Sequence, residues 1–168
     1  MTAAPPVDPA GFRRALASFA SGVTVVAVCD ADGVDHGMTV SAFCSVSLMP
    51  PLVLVCIDHA ATCAPRIAAA SHLGISVLGA AQSALSNRFA DPGADRFDGV
   101  PVVRGATGAP LLAGAIAHLE CRISSRHDGG DHAIIVAEVV SATASDGPPL
   151  IYHRGRYRTA VSPAESRE

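Results

Sequence analysis

Short apolar runs separated by turn-forming residues dominate this chain and predict a β-rich protein. The run VTVVAVC at 23–29 is rich in β-branched residues, and Asp30-Ala31-Asp32-Gly33 after it has the composition of a hairpin turn. Comparable patterns predict further strands at 35–48, 52–58, 72–78, 115–126 and 132–142, and a strand pair within 149–159. A Gly-rich turn at 128–131 joins the two long stretches at 115–126 and 132–142.

Helical periodicity is confined to three short segments. Asp8 is a suitable N-cap, Pro9 suits the first helical position, and Gly22 is the expected end of the first helix. Three apolar residues recur on one face of this helix: Phe12, Leu16 and Phe19. Shorter helices are predicted at 62–70, with Thr62 as N-cap, and at 80–90.

Strands therefore outnumber helices, most connections are short, and alternating βα units are missing from the pattern. Segment 91–109 is predicted as a loop, and the tail after residue 161 as loose. This arrangement favours an antiparallel barrel or sandwich with peripheral helices. At 168 residues the chain is expected to form one domain, with its core at about 10–160.

Composition narrows the range of partners. The formal net charge is −3, all 12 basic residues are arginine, and aromatic residues make up 4%. Nucleic-acid binding is not expected, because no basic patch or set of stacking rings stands out. The lack of lysine excludes Schiff-base chemistry. Charged residues are only 16%, which hints that a partner subunit covers part of the surface.

The cysteines and the N-terminal sequence favour a cytoplasmic protein. Five cysteines without a CxxC pair are interpreted as reduced and mostly buried. MTAAPPVDPA lacks the features of a signal peptide. Residues 37–57 are uncharged and long enough for a membrane span, but Pro50-Pro51 divides them. Two half-buried strands joined at a proline turn fit better, so no membrane segment is expected.

Several common chemistries lack their sequence signatures. The seven histidines form no HExxH or Cys/His zinc pattern, so no metal site is predicted. A GxSxG motif and a Rossmann GxGxxG motif are also missing. A nucleotide-like cofactor would need another architecture.

Four weaker features remain, and each has a plain structural alternative. The segment GMTVSA at 37–42 has small side chains that let a flat ligand approach the backbone, although a polar strand face would look similar. Segment 82–89 combines hydroxyls with an arginine, as a phosphate site needs, but an ordinary polar helix face does so too. Gly130-Asp131-His132 brings a histidine to a strand rim, as many hairpins do. Near the end, Arg154, Arg156 and Arg158 recur at every second position beside Tyr152 and Tyr157, which predicts that the arginines share one strand face, as in a basic edge strand.

Together and in this order, these features resemble the flavin-reductase-like family, the small reductase components of two-component flavin-dependent monooxygenases. The resemblance covers about residues 10–160 and rests on five segments: FRRALASFASGVTVV (12–26), GMTVSAFCSVSLMPPLVLVCI (37–57), FADPGADRFDGVP (89–101), GDHAIIVAEV (130–139) and PLIYHRGRYR (149–158). It implies a mainly β fold, a split β-barrel of the FMN-binding type, antiparallel and Greek-key-like with a few peripheral helices. It also implies a homodimer that binds FAD or FMN.

The resemblance assigns expected roles to individual residues. The isoalloxazine would lie against the backbone of Thr39, Val40, Ser41 and Ala42, with Ser45 nearby. Further flavin contacts are expected from Cys56, Ile57, Asp58, Thr62, Ser86, Arg88 and Phe89, of which Thr62, Ser86 and Arg88 are candidates for the phosphate end. His132 would act at the nicotinamide side, and Tyr157 would approach from near the dimer interface. At 60–63 the chain departs from the family, since Thr62 is the only hydroxyl there.

The implied activity is hydride transfer from NADH, or from NADPH, to FAD or FMN, with reduced flavin passing to a separate monooxygenase. Three alternatives stay open: a flavin-binding module or carrier without turnover, a flavin-dependent reductase of a corrinoid or ferric chelate, and a structural β-barrel dimer.

Overall fold

The computed structural model describes residues 7–93 and 95–160. Within them three α-helices are seen: α1 (Pro9–Leu16), α2 (Ala64–Ala69) and α3 (Ser83–Ala90), the last preceded by a 3₁₀ turn at Ala80–Gln82. The strands of the first half are β1 (Ser21–Gly22), β2 (Thr24–Cys29), β3 (Asp35–Val40), β4 (Phe43–Leu48), β5 (Pro51–Asp58) and β6 (His72–Val77). Those of the second half are β7 (Val102–Arg104), β8 (Pro110–Leu112), β9 (Ala117–Gly129), β10 (His132–Ala144), β11 (Leu150–His153) and β12 (Arg156–Thr159).

The strands form three antiparallel sheets, so the expectation of a mainly β fold with few helices is confirmed. The main sheet has seven strands in the order β3-β2-β6-β9-β10-β5-β4. A three-stranded sheet follows the order β1-β11-β12, and β7 pairs with β8. No helix among the described residues is long and apolar enough to cross a membrane.

Strand β2 is buried on both faces and separates two clusters of apolar side chains. Val26 and Val28 point into the larger cluster, which fills the concave side of the main sheet beneath α2. Val23 and Val25 point into a smaller cluster with Phe89 of α3. Burial on both faces explains why 23–29 is a continuous apolar run rather than an alternating one.

The predicted strand at 35–48 is two strands. Strand structure is interrupted at Ser41-Ala42, and we call these two residues the break. Before it, β3 pairs with β2 at one end of the main sheet; after it, β4 pairs with β5 at the other end. Small residues permit this sharp change of direction, and the alternating pattern alone does not reveal it. The proline turn between β4 and β5 was predicted, and the Met49–Pro50 peptide bond in it is cis.

Other boundaries also differ from the prediction. Helix α1 ends at Leu16, so Phe19 lies beyond it, and the predicted loop at 91–109 contains β7. Thr62 does not cap α2, whose N-cap is Cys63 without a capping side chain. The predicted loose tail after residue 161 lies outside the described residues.

Two further expectations need correction. The cysteines are all free, but only Cys63 and Cys121 are buried, while Cys44 is exposed. Of the alternating arginines, Arg156 and Arg158 lie in β12, whereas Arg154 sits in the turn before it with a φ of 51°. That turn also brings the chain back toward α1, since the Arg154 N–H donates a hydrogen bond of 3.1 Å to the Ala17 carbonyl.

Candidate functional site

A groove of two adjoining cavities runs along the break between β3 and β4. The larger cavity, about 540 Å³, is bordered by α1, by the break and by β5. The smaller cavity, about 340 Å³, lies between the break and α3. Both are lined by Ser41, Tyr152 and Gly155, so they form one continuous depression. Their volumes fall within the range of small-molecule sites.

The break supplies backbone donors to this groove. The Ser41 carbonyl accepts from the Phe43 N–H at 3.0 Å, and the Ala42 carbonyl accepts from the Cys56 N–H at 3.0 Å. The N–H groups of Ser41 and Ala42 themselves donate to no other residue within 7–93 and 95–160. Two neighbouring amides without a partner are a hydrogen-bonding surface for a ligand, since backbone donors are rarely left unpaired.

The register of β5 and β10 places His132 on the groove side of the sheet. Cys56 lines the larger cavity and lies opposite Ile134, and Asp58 lies opposite His132. Directly opposed residues share a face, and so do residues two apart in a strand. His132 therefore stands one strand step beyond Cys56 on the same face, at the end of the groove.

Asp131 orients the His132 ring. The distance between His132 Nδ1 and Asp131 Oδ1 is 2.6 Å, and the hydrogen bond to the imidazole lowers the pKa of the Asp131 carboxyl. Because an ionised carboxylate only accepts hydrogen bonds, Nδ1 carries the proton. His132 Nε2 is left to face a ligand, and the side chain is 39% exposed.

The predicted flavin contacts divide into groove residues and core residues. Ser41, Ala42 and Cys56 line the larger cavity, while Thr39, Ser86 and Tyr157 line the smaller one. The side chains of Val40, Ile57 and Phe89 are buried in the apolar clusters, so a ligand reaches only their backbone. Ser45 lies opposite Val53, on the opposite face from Cys56, and lines neither cavity.

Hydrogen bonds join α3 to β3 and β12 around the smaller cavity. Thr39 Oγ1 donates to the Ser86 carbonyl at 2.6 Å. The Tyr157 hydroxyl is 2.9 Å from both Ser86 Oγ and Asn87 Oδ1. The walls of this cavity are therefore fixed by side chains from three separate parts of the sequence.

The three residues predicted for a phosphate are not brought together. The Arg88 guanidinium donates to the carbonyls of Asp95 and Asp98 and so holds the loop after α3. Thr62 Oγ1 instead accepts from Arg96 at 3.3 Å, in a separate cavity of about 300 Å³. Ser86 alone of the three lines the groove.

Sequence reasoning missed one wall of the groove. Phe12, Arg13 and Phe19 line the larger cavity from α1 and the segment after it, facing Tyr152 and Arg154. The signal was present, because an amphipathic helix whose rings stay exposed has an apolar face free for a ligand or partner.

A groove of small residues, aromatic rings and amides without partners among the described residues, set in an antiparallel β fold, suits a flat molecule with polar edges. The model of the "Flavin reductase like domain" matches residues 16–160, and the chain belongs to that family.

The relatives include characterised reductases. The chain is 46% identical over 152 residues to the reductase component of 4-nitrophenol 4-monooxygenase/4-nitrocatechol 2-monooxygenase from Rhodococcus opacus, with 90% of this chain and 81% of that protein covered. It is 41% identical over 160 residues to an NADH:riboflavin 5'-phosphate oxidoreductase from Streptomyces pristinaespiralis, covering 94% and 91%.

A solved structure extends the likeness to three dimensions. The NADH:FAD oxidoreductase SgcE6 of Streptomyces globisporus, in complex with NAD and FAD fragments, matches with a TM-score of 0.86 and 42% identity. The match covers 95% of this chain and 98% of that one.

Proposed function

We propose that this protein is an NAD(P)H:flavin oxidoreductase, of the class EC 1.5.1.-, that reduces FAD or FMN with NADH and supplies the product to a separate monooxygenase. The observation that carries the proposal is the groove at Ser41-Ala42, whose two unpaired amides fit the polar edge of a flavin ring. The relatives named above are reductases of this type, which supports the same conclusion. NADH is the proposed donor.

The groove residues would bind and orient the flavin, which accepts the hydride when bound. The amides of Ser41 and Ala42 are fixed donors that stabilise negative charge on an adjacent oxygen or nitrogen, as in an oxyanion hole. Small side chains at the break let the ring approach this backbone. Thr39, Val40, Cys56, Ile57 and Asp58 would complete the wall, in part through their backbone atoms.

Thr62, Ser86, Arg88 and Phe89 stay our predictions for the phosphate end, with Tyr157 beside them. Ser86 is the best placed of these, because it lines the smaller cavity. Arg88 would support the phosphate end indirectly, by holding the loop after α3 in place. Phe89 would support it by packing α3 against the core. Ser45 stays a prediction for a neighbouring position on β4.

His132 is proposed to bind the nicotinamide nucleotide. Asp131 fixes the ring through Nδ1 and leaves Nε2 without a partner among the described residues, so Nε2 can hydrogen-bond the carboxamide or ribose. We expect His132→Ala to slow hydride transfer at least tenfold while flavin affinity changes less than twofold. Stopped-flow kinetics and flavin titration measure the two quantities, with the exposed His72→Ala on β6 as the matched control.

A result in which His132→Ala and His72→Ala reduce flavin at the same rate would remove His132 from the site. Equal losses in flavin affinity and in hydride transfer would place it in the flavin pocket instead.

Finer features of the assembly are also proposed. We propose one domain of residues 1–168 built as a split barrel and present as a homodimer. Support for the dimer comes from apolar side chains exposed at the proline turn, Leu48 at 85% and Met49 at 88%. Sedimentation of the protein and of Leu48→Asp tests it, since a monomeric wild type would contradict it. The free cysteines and the NADH dependence support a cytoplasmic location.

The decisive experiment is anaerobic oxidation of NADH with FAD, FMN or riboflavin added separately. Flavin-dependent loss of NADH absorbance that saturates with flavin supports the proposed activity and ranks the flavins. If no flavin supports oxidation of NADH or NADPH, the reductase proposal fails. A thermal shift with flavin but without turnover would then identify a flavin-binding module; at 100-fold excess over Kd, binding adds about 2.7 kcal/mol of stability.

A further inference from the structure

The eleven arginines of the described residues fall into two groups that differ in what they contact. Six arginines in the middle of the chain contact a carbonyl or carboxylate oxygen of the protein: Arg66, Arg88, Arg96, Arg104, Arg122 and Arg126. Five others lie near the two ends of the described chain, at 13–14 and 154–158, and their guanidinium groups contact no acidic or carbonyl oxygen of another described residue.

These five arginines share one positive region. Segments 9–29 and 147–160 contain no Asp or Glu, and pairing of β1 with β11 brings the two segments together. The uncharged break and β4 form the adjoining groove wall. Positive charge is therefore concentrated beside the groove of a chain whose formal net charge is −3. Such a field attracts anionic ligands.

Two of the five arginines line the groove itself. Arg13 reaches the larger cavity from α1, and Arg154 reaches it from the turn between β11 and β12. The hydrogen bond from the Arg154 N–H to the Ala17 carbonyl ties that turn to the end of α1. Arg154 also has a φ of 51°, a conformation that favours glycine or asparagine. The two-residue turn Arg154-Gly155 between β11 and β12 requires this conformation, and it places Arg154 at the groove.

The ligand that fits this wall has both rings and phosphates. Phe12, Phe19 and Tyr152 supply apolar surface to the same cavity. Guanidinium groups bind phosphate oxygens in pairs of parallel hydrogen bonds. We propose that Arg13 and Arg154 form a diphosphate-binding subsite for the ADP portion of a dinucleotide. This inference rests on the proposed function. The subsite lies in the larger cavity, whereas Ser86, our candidate for the flavin 5'-phosphate, lines the smaller one.

FAD and NADH both carry an ADP group, so the shared chemistry is the diphosphate. Equilibrium binding distinguishes the two sources. Quenching of flavin fluorescence gives the affinities for FAD and for FMN, which differ by the adenylate. Calorimetric titration with ADP-ribose, which lacks the nicotinamide, gives the affinity for the corresponding part of NADH.

The variants are Arg13→Gln and Arg154→Gln. Arg14→Gln and Arg156→Gln are matched controls, because each removes the same charge from a neighbouring position that does not line the groove. We expect the two groove variants to bind FAD or ADP-ribose about tenfold more weakly, consistent with loss of a charged hydrogen bond. Their FMN affinity should change less than twofold, as should every affinity of the controls. Light scattering checks that the oligomeric state is kept.

Selective loss of FAD affinity assigns the subsite to the flavin, and selective loss of ADP-ribose affinity assigns it to the nicotinamide nucleotide. Unchanged affinity for both ligands overturns the proposal. Equal losses of affinity for FMN and FAD, without loss for ADP-ribose, also overturn the proposal, since the adenylate would then make no difference. Equal losses of affinity in the control variants overturn it as well. Failure of the reductase proposal is separate, because the wild type would then oxidise no NADH with any flavin while these affinities stay measurable.

Discussion

Replacing Tyr157 by phenylalanine tests whether β12 is fixed to α3 through one hydroxyl group. The Tyr157 hydroxyl lies 2.9 Å from Ser86 Oγ and 2.9 Å from Asn87 Oδ1. The single phenol proton serves one of these contacts, and the Ser86 hydroxyl supplies the proton for the other. Ser86 is fully buried, so Tyr157→Phe leaves its hydroxyl without this partner. We expect a loss of about 1–2 kcal/mol in the free energy of unfolding.

A double-mutant cycle with Ser86→Ala isolates this contact. The single variants and the double variant are unfolded in urea, and their free energies of unfolding are compared. Tyr157→Phe leaves the buried Ser86 hydroxyl without this partner, and Ser86→Ala removes that hydroxyl. The double variant should therefore lose about 1 kcal/mol less than the sum of the single losses. Because both residues line the smaller cavity, flavin affinity should fall in parallel.

Additive losses, within about 0.5 kcal/mol, would refute the reasoning, since residues that share a hydrogen bond are coupled. A Tyr157→Phe protein as stable as the wild type would do the same. Either outcome would mean that packing of the ring, not its hydroxyl, holds β12 against α3.

Two further predictions concern stability away from the groove. Burial, the largest single effect, would raise the pKa of Glu120, but the hydrogen bonds from Thr107 and Ala106 and the charge of His72 together lower it. Its stabilising contribution is therefore complete above the ordinary value of about 4.5 and is lost as the pH falls through the lowered pKa. Glu120→Gln should lower the free energy of unfolding by about 1–3 kcal/mol at pH 7 and should make it fall less steeply in acid. Urea unfolding at several pH values measures both effects. An unchanged dependence of stability on acid pH would contradict the role of Glu120. Gly74→Ala places a Cβ 2.5 Å from the Pro110 carbonyl oxygen and should cost at least about 1–3 kcal/mol in thermal unfolding, whereas Gly22→Ala, with no atom within 4 Å, should cost much less.

Much of the fold was predictable because local patterns agree with it. The β-branched run at 23–29, the hairpin turn at 128–131 and the strand pair at 149–159 all became the expected elements. These signals depend on residues close together in sequence, such as glycine in a turn or alternation in a strand. Helix ends were less accurate: α1 stops at Leu16, although the apolar periodicity continues to Phe19.

The candidate site was predictable only in part. Ser41 and Ala42 were singled out as small and polar, and they do line the groove. The alternation through 35–48 gave no sign that the chain breaks there, because either a continuous strand or two strands satisfies a period of two. The break matters, since it leaves the two amides without partners.

The amino-acid sequence by itself determined that this is a β-rich protein, and its motifs determined the family. Only the tertiary structure decided which side chains share a cavity. Arg88, predicted for a phosphate, donates to the carbonyls of Asp95 and Asp98, while Arg13 and Arg154, far apart in the sequence, line the same cavity. The physical reason is that side-chain neighbours across sheets depend on strand order and register, and neither is encoded by the periodicity of a single segment.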